Sequence, residues 1–234
     1  MAATVQAVVR RSPMKLTFSP WQLLTLAVVV LPGLYLAYTW PALPNQIPTH
    51  FGADGQANGF TAKQHMWLPC IALPLGLYLL LLLLPRLDPK HRLATESANF
   101  QKLTLALVGL TASLNMLSLY TALHPQKHPG QLLVLVLGLF FALIGNYLTT
   151  VPPNYFVGIR TPWALEFPDN WARTHRLAGR LFFVTGLLSV ALGLVWPGEV
   201  AIVTLLSGVL GTALVAYVYS YWLYRQQRKM TGVV

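Results

Sequence analysis

Two shortages set the first limits on this chain. It contains a single cysteine, Cys70, placed inside an apolar run. That excludes a disulfide framework or a thiolate metal site within one copy. Acidic side chains are also scarce, six against sixteen Lys and Arg, and all charged residues together make up only 9% of 234 positions. Hydrophobic residues account for 55%, and the mean hydropathy is +0.56. So few charges cannot solvate a domain of this size, which places the chain in the membrane class. A formal charge of +10 would suggest nucleic acid in a soluble protein. Here it follows from the Lys and Arg that gather in cytoplasmic loops, and no direct nucleic-acid contact is expected.

What the chain has in abundance is long apolar runs. A spanning helix needs about 20 mostly apolar residues, and six segments qualify: 21–40, 66–84, 103–123, 132–148, 177–196 and 200–224. Pro32, Pro69 and Pro74 fall in the first two. They remove backbone donors, which membrane helices tolerate when neighbours satisfy the freed carbonyls. The first run follows a basic segment, so a cleavable signal peptide is the alternative reading. Its length and the poor cleavage site at 40–44 favour a retained helix.

Basic residues set the expected orientation. An inside N-terminus puts Arg10, Arg11 and Lys15, then Arg86, Lys90, Arg92 and Lys102, on the cytoplasmic side. It also puts there Arg160, Arg173, Arg176 and Arg180, and finally Arg225, Arg228 and Lys229, leaving only Lys63 and Lys127 outside. The expected fold class is therefore an all-α polytopic membrane bundle of six transmembrane helices, N-in and C-in. Residues 1–101 form a two-helix module with an extracytoplasmic loop, and 102–234 form a four-helix part with a cytoplasmic loop at 149–176.

In the outer loop, Asp54-Gly55 and Asn58-Gly59 are turn dipeptides that suit a small hairpin-like excursion. His50 and Asp54, with His65, His124 and His128, are conceivable metal ligands, but their spacing is too wide for a His-rich site. No metal and no cofactor is expected. Asn115 with Thr111 and Ser113 on the third helix suits interhelical hydrogen bonding. Thr185, Ser189 and Gly193 on the fifth helix, with Ser207 and Gly211 on the sixth, form small-residue stripes that predict close packing of those two. No internal repeat is found, which weighs against an inverted-repeat transporter.

The densest chemistry lies at 145–180. Val151-Pro152-Pro153 ends the fourth helix, and irregular backbone is expected from 154 to 163, with Gly158 permitting unusual torsions and Thr161-Pro162 imposing an extended step. Arg160 in that turn presents a planar fork suited to carboxylate or phosphate, with Glu166 and Asp169 as internal partners. Asp169 or Asn170 is expected to cap a helix running to Trp196. Arg173, Arg176 and Arg180 share one of its faces, and His175 beside them is a residue type that titrates near neutrality. Tyr155, Phe156, Trp163, Phe167 and Trp171 are expected to seat the loop at the membrane surface. Two readings follow: an aromatic and arginine connection needed only for insertion and folding, or a recessed site for an anionic ligand or partner. Paired carboxylates, a phosphate-cradling glycine loop and a His-Glu helix motif are all lacking, so catalysis is not expected.

Gly145-Asn146, Asn154, the run Val157-Gly158-Ile159-Arg160-Thr161-Pro162-Trp163, then Trp171, His175-Arg176 and Gly179 resemble the signature of the SdpI family of bacterial membrane immunity proteins. Leu43-Pro44, Ile47-Pro48, His50-Phe51 and Gly55 are similar to an uncharacterised module that often precedes it. The resemblance implies a multi-pass protein of the bacterial cytoplasmic membrane that resists a secreted membrane-active peptide toxin and recruits a cytoplasmic repressor protein. It marks Asn146, Asn154, Gly158, Arg160, Thr161, Trp163, Trp171, His175 and Arg176 as ligand- or partner-binding candidates. His50 and Phe51 are candidates for extracytoplasmic ligand contact, and membrane lipid is the surrounding partner. The rival is a transporter or exporter of a small amphipathic compound with a polar path centred on Asn115 and Asn146. A membrane-embedded lipid-headgroup enzyme using Arg160 and His175 stands third.

Overall fold

The computed structural model describes residues 19–88, 93–127, 129–196 and 198–231. Arg10, Arg11, Lys15, Lys90 and Arg92 of the orientation argument, and His128 of the metal candidates, lie outside the described residues. Six helices are long and apolar enough to cross a membrane; five contain one of the expected runs whole, and the fifth, ending at Val195, stops one residue short of its run.

Helix α1, Pro20–Thr39, begins at a capping box. The Ser19 hydroxyl accepts from the Gln22 N–H, and the Gln22 carboxamide oxygen accepts from the Ser19 N–H at 2.9 Å. The same hydroxyl donates to Gln101 at 2.6 Å and so ties the start of α1 to the third span. A hairpin follows, β1 at Gln46–Phe51 antiparallel to β2 at Ala57–Ala62. Its turn uses Asp54-Gly55 as expected, with the Asp54 carboxylate accepting from the Gln56 N–H and Gly55 at φ +75°. Asn58-Gly59 is not a turn. It lies within β2, opposite His50, where the ladder loses its regular register.

The second span enters through a π-helical turn, Leu68–Ala72, before α2 at Leu73–Leu87. The Leu73 N–H reaches back to the Leu68 carbonyl, and Pro74 has no N–H to offer the Pro69 carbonyl next in that wider ladder. The repair comes from α3, Ala98–Leu123. The buried Asn115 amide donates to the Pro69 carbonyl at 2.8 Å and to Thr111 at 2.9 Å. Asn115 is thus an interhelical bond of the kind expected, and its donors are no longer available to a transport path.

Three more spans complete the bundle: α4 at Gly130–Leu148, α6 at Pro168–Val195 and α7 at Gly198–Thr231, with the short α5 at Pro162–Glu166 between the first two. The closest pairing is α4 with α6. A Cβ on Gly145 would lie 2.5 Å from the Gly179 carbonyl oxygen, and one on Gly138 would lie 2.8 Å from that of Gly186. Small residues let the two backbones touch where lipid gives no hydrophobic drive to associate. The α6–α7 contact differs from the expected stripe. Ser207 and Gly211 are exposed, and α7 turns Ala201, Leu205, Thr212, Ala216 and Ser220 inward instead. Gly208, beside the expected pair, is the residue that meets Thr185.

The hairpin closes one end of the bundle. Ile47 is fully buried among Leu36, Leu43, Met66, Cys70 and Leu119, and Gly55 rests against Gly130 at the start of α4. The opposite end carries the connection from α4 to α6.

Candidate functional site

That connection is a stitched cap rather than a loose loop. Asn154, fully buried, is its hub. The side-chain amide donates to the carbonyls of Pro152 at 2.8 Å and Val157 at 3.0 Å, while the side-chain oxygen accepts from the N–H groups of Phe156 and Val157. All four bonding positions of the carboxamide are filled, which fixes a turn that has no helical partners of its own. The chain then passes Gly158 at φ +119°, where a Cβ would strike the His175 ring and come within 3.2 Å of Trp171. Only glycine fits both the torsion and the space.

His175 is 1% exposed, and both of its nitrogens are engaged. The Ile159 N–H donates to Nε2 at 3.0 Å, and Nδ1 lies 2.8 Å from the Trp171 carbonyl, which can only accept. The ring is therefore neutral with its proton on Nδ1. It stacks on Trp171, with ring centroids 4.0 Å apart. This differs from the expectation of a group free to titrate near neutrality, and it leaves no nitrogen for acid–base work on a lipid headgroup. Trp171 likewise does not seat the loop at the membrane surface. It is 1% exposed, and its indole N–H donates to the Val151 carbonyl at 2.9 Å, closing the end of α4 onto α6.

A second buried network joins the cap to α7. The Thr161 hydroxyl accepts from the Ala164 N–H at 3.1 Å, capping α5, and lies 2.6 Å from the Ser220 hydroxyl. Ser220 donates to the Asn170 oxygen at 2.9 Å, so Thr161 is the donor to Ser220. Thr174 donates to the same Asn170 oxygen, and the Asn170 amide returns a bond to the Ser220 carbonyl at 2.8 Å. Neither Asn170 nor Asp169 caps α6, which begins earlier, at Pro168 after Phe167. Asn170 instead faces inward as a fully buried node. Sequence reasoning missed Thr174 and Ser220. Ser220 stands alone among Tyr and Trp in α7, and that isolation was the only local signal available. Trp163 is half-buried against Tyr217 and Tyr221, at 5.1 and 4.9 Å between centroids.

The exposed members of the signature are few. Arg160 is exposed and not recessed, with its guanidinium donating to the Tyr155 carbonyl at 2.6 Å. Asp169, expected to pair with it, lies 3.8 Å from Arg173 instead. Arg176 and Arg180 are exposed on the same helix. Asn146 stands apart from the cap, on the face of α4 that looks toward α3. At the other end of the bundle, His50 is exposed and bonded to Asn58, while Phe51 turns inward to pack against the cluster of Leu117, Leu133, Val134, Ala201 and Ile202.

Residues 150–220, which build this cap with α6 and most of α7, match the model of the SdpI/YfhL protein family. Residues 27–73, from α1 through the hairpin, match a domain of unknown function, DUF1648. The chain is 22% identical over 205 residues to the Immunity protein SdpI of Bacillus subtilis (strain 168), an alignment covering 87% of this chain and 96% of that protein. No solved structure matches. With six spans and the stitched cap, the chain is a multi-pass membrane protein that is similar to the SdpI/YfhL family over residues 150–220 and to the DUF1648 domain over residues 27–73.

Proposed function

We propose that this protein acts by binding, as an immunity protein of the bacterial cytoplasmic membrane with both termini inside. It confers resistance to a secreted membrane-active peptide toxin and recruits a cytoplasmic repressor protein to the membrane. The observation that carries the reading is the likeness over 87% of the chain to a protein named for immunity. The division of surfaces supports it. Residues 1–101 present the hairpin outward, with His50 available to a ligand and Phe51 supporting the strand from within. Residues 102–234 turn the 149–176 cap inward, where Arg160, Arg176 and Arg180 are exposed cations on a base held rigid by Asn154, Thr161, Trp171 and His175. An acidic face on a repressor is the complementary chemistry, since a planar guanidinium pairs bidentately with carboxylates.

The test is expression of the full chain in a toxin-sensitive bacterium challenged with the peptide from a producing strain. Survival should exceed that of the empty vector, and a fluorescent repressor fusion should move to the membrane on exposure. Arg160→Ala, matched for membrane abundance, should lose the relocation. Survival no better than the vector overturns the immunity reading, and full relocation with the variant removes Arg160 from the dock.

A further inference from the structure

A cavity of about 850 Å³ lies between α3 and α4, with α1 along one side; it touches the cap only at Thr150 and lies away from the hairpin. Its walls are aliphatic, Leu110, Val136 and Leu139 among them, and the exposed Leu139 and Leu143 leave it open laterally toward lipid. Polar groups gather at one end: Trp21 from α1, Asn99 and Lys102 from α3, Asn146 and Tyr147 from α4, and Thr150 just beyond it. The Lys102 ammonium lies 5.2 Å from the Trp21 ring centroid. The side chains of Asn99 and Asn146 make no hydrogen bond among the described residues. Tyr35 and Tyr120 line the far end. From Lys102 to Tyr120, α3 rises about 27 Å, close to the roughly 30 Å of bilayer hydrocarbon. The polar end therefore sits at headgroup depth.

We propose that this groove binds one anionic glycerophospholipid, its acyl chain along α3 and α4 and its phosphate at Lys102, with Asn99 and Asn146 donating to headgroup oxygens. Charge selects this occupant. Lys102, the cation among the described lining residues, and the unpartnered amides stand where a phosphate would lie, and the middle of the groove is mainly aliphatic. The site also gives Asn146 a role apart from the cap, and it does not depend on toxin binding.

The experiment is native mass spectrometry of the full-length protein released from nanodiscs made of equal parts phosphatidylglycerol and phosphatidylethanolamine. The expected result is a monomer retaining one lipid, with phosphatidylglycerol preferred. Lys102→Glu, at an exposed position whose contact is with the Trp21 ring, should lower that preference by at least about fivefold. Gly109→Trp should abolish retention, because Gly109 lines the groove and an added Cβ there meets nothing within 4 Å. Three results overturn the proposal: equal retention of both lipids by the wild type, unchanged retention in Gly109→Trp with the melting temperature of the wild type, or a wild-type dimer that Gly109→Trp splits.

Discussion

Asn154, Gly158, Trp171 and His175 show how a signature can be made of folding residues. Asn154, Trp171 and His175 each satisfy a backbone group that has no helical partner, and Gly158 leaves room for the His175 and Trp171 rings. Asn154→Ala strips partners from two carbonyls and two N–H groups and should destabilise the protein by about 2–3 kcal/mol, since a buried unsatisfied group costs about 1–3. Gly158→Ala combines a left-handed torsion with a steric clash and should cost at least about 1–3 kcal/mol. Thermal unfolding in detergent reads both. Arg160→Ala, at an exposed side chain with one backbone bond, should stay within about 0.5 kcal/mol of wild type while losing partner recruitment. That contrast separates the residues that build the cap from those it displays.

Among the elements, α4 and α6 are joined by glycine backbone contact at Gly138, Gly145, Gly179 and Gly186. Gly145→Leu should therefore abolish the folded monomer on size exclusion, whereas Gly211→Ala, with nothing within 4 Å of the added Cβ, should leave elution and melting unchanged. Asn115→Leu withdraws the bond to the Pro69 carbonyl and should cost about 0.6–1.7 kcal/mol, from the mean to the largest value for interhelical polar contacts in membranes. The helices themselves were legible in the sequence, because uninterrupted apolar runs of spanning length have few other uses. Their partners were not. Ser207 and Gly211 carry the same small-residue spacing as the inward set Thr212, Ala216 and Ser220, and spacing alone does not say which face meets protein and which meets lipid. In a bilayer both faces are apolar, so the amphipathic cue that orients a soluble helix is missing.

For the molecule as a whole, the same limit explains what was read of the site and what was not. The turn at Gly158 and the end of α4 at Leu148, shortly before Val151-Pro152-Pro153, follow from local torsional rules. The burial of Trp171 and the neutral ring of His175 depend on the 151–159 stretch folding back onto α6, and the chain of bonds from Thr161 through Ser220 to Thr174 depends on α7 returning beside α6, some fifty residues downstream. The hairpin and the cap lie at opposite ends of the bundle, and the functional account assigns one to each side of the membrane. Its most direct test is labelling of intact cells with a membrane-impermeant maleimide, using Cys70→Ala as background so that the one native thiol is absent. With His50→Cys the protein should label on whole cells. With Arg160→Cys it should label only after the membrane is opened. Labelling of Arg160→Cys on intact cells would place the arginine-bearing cap outside and contradict the account.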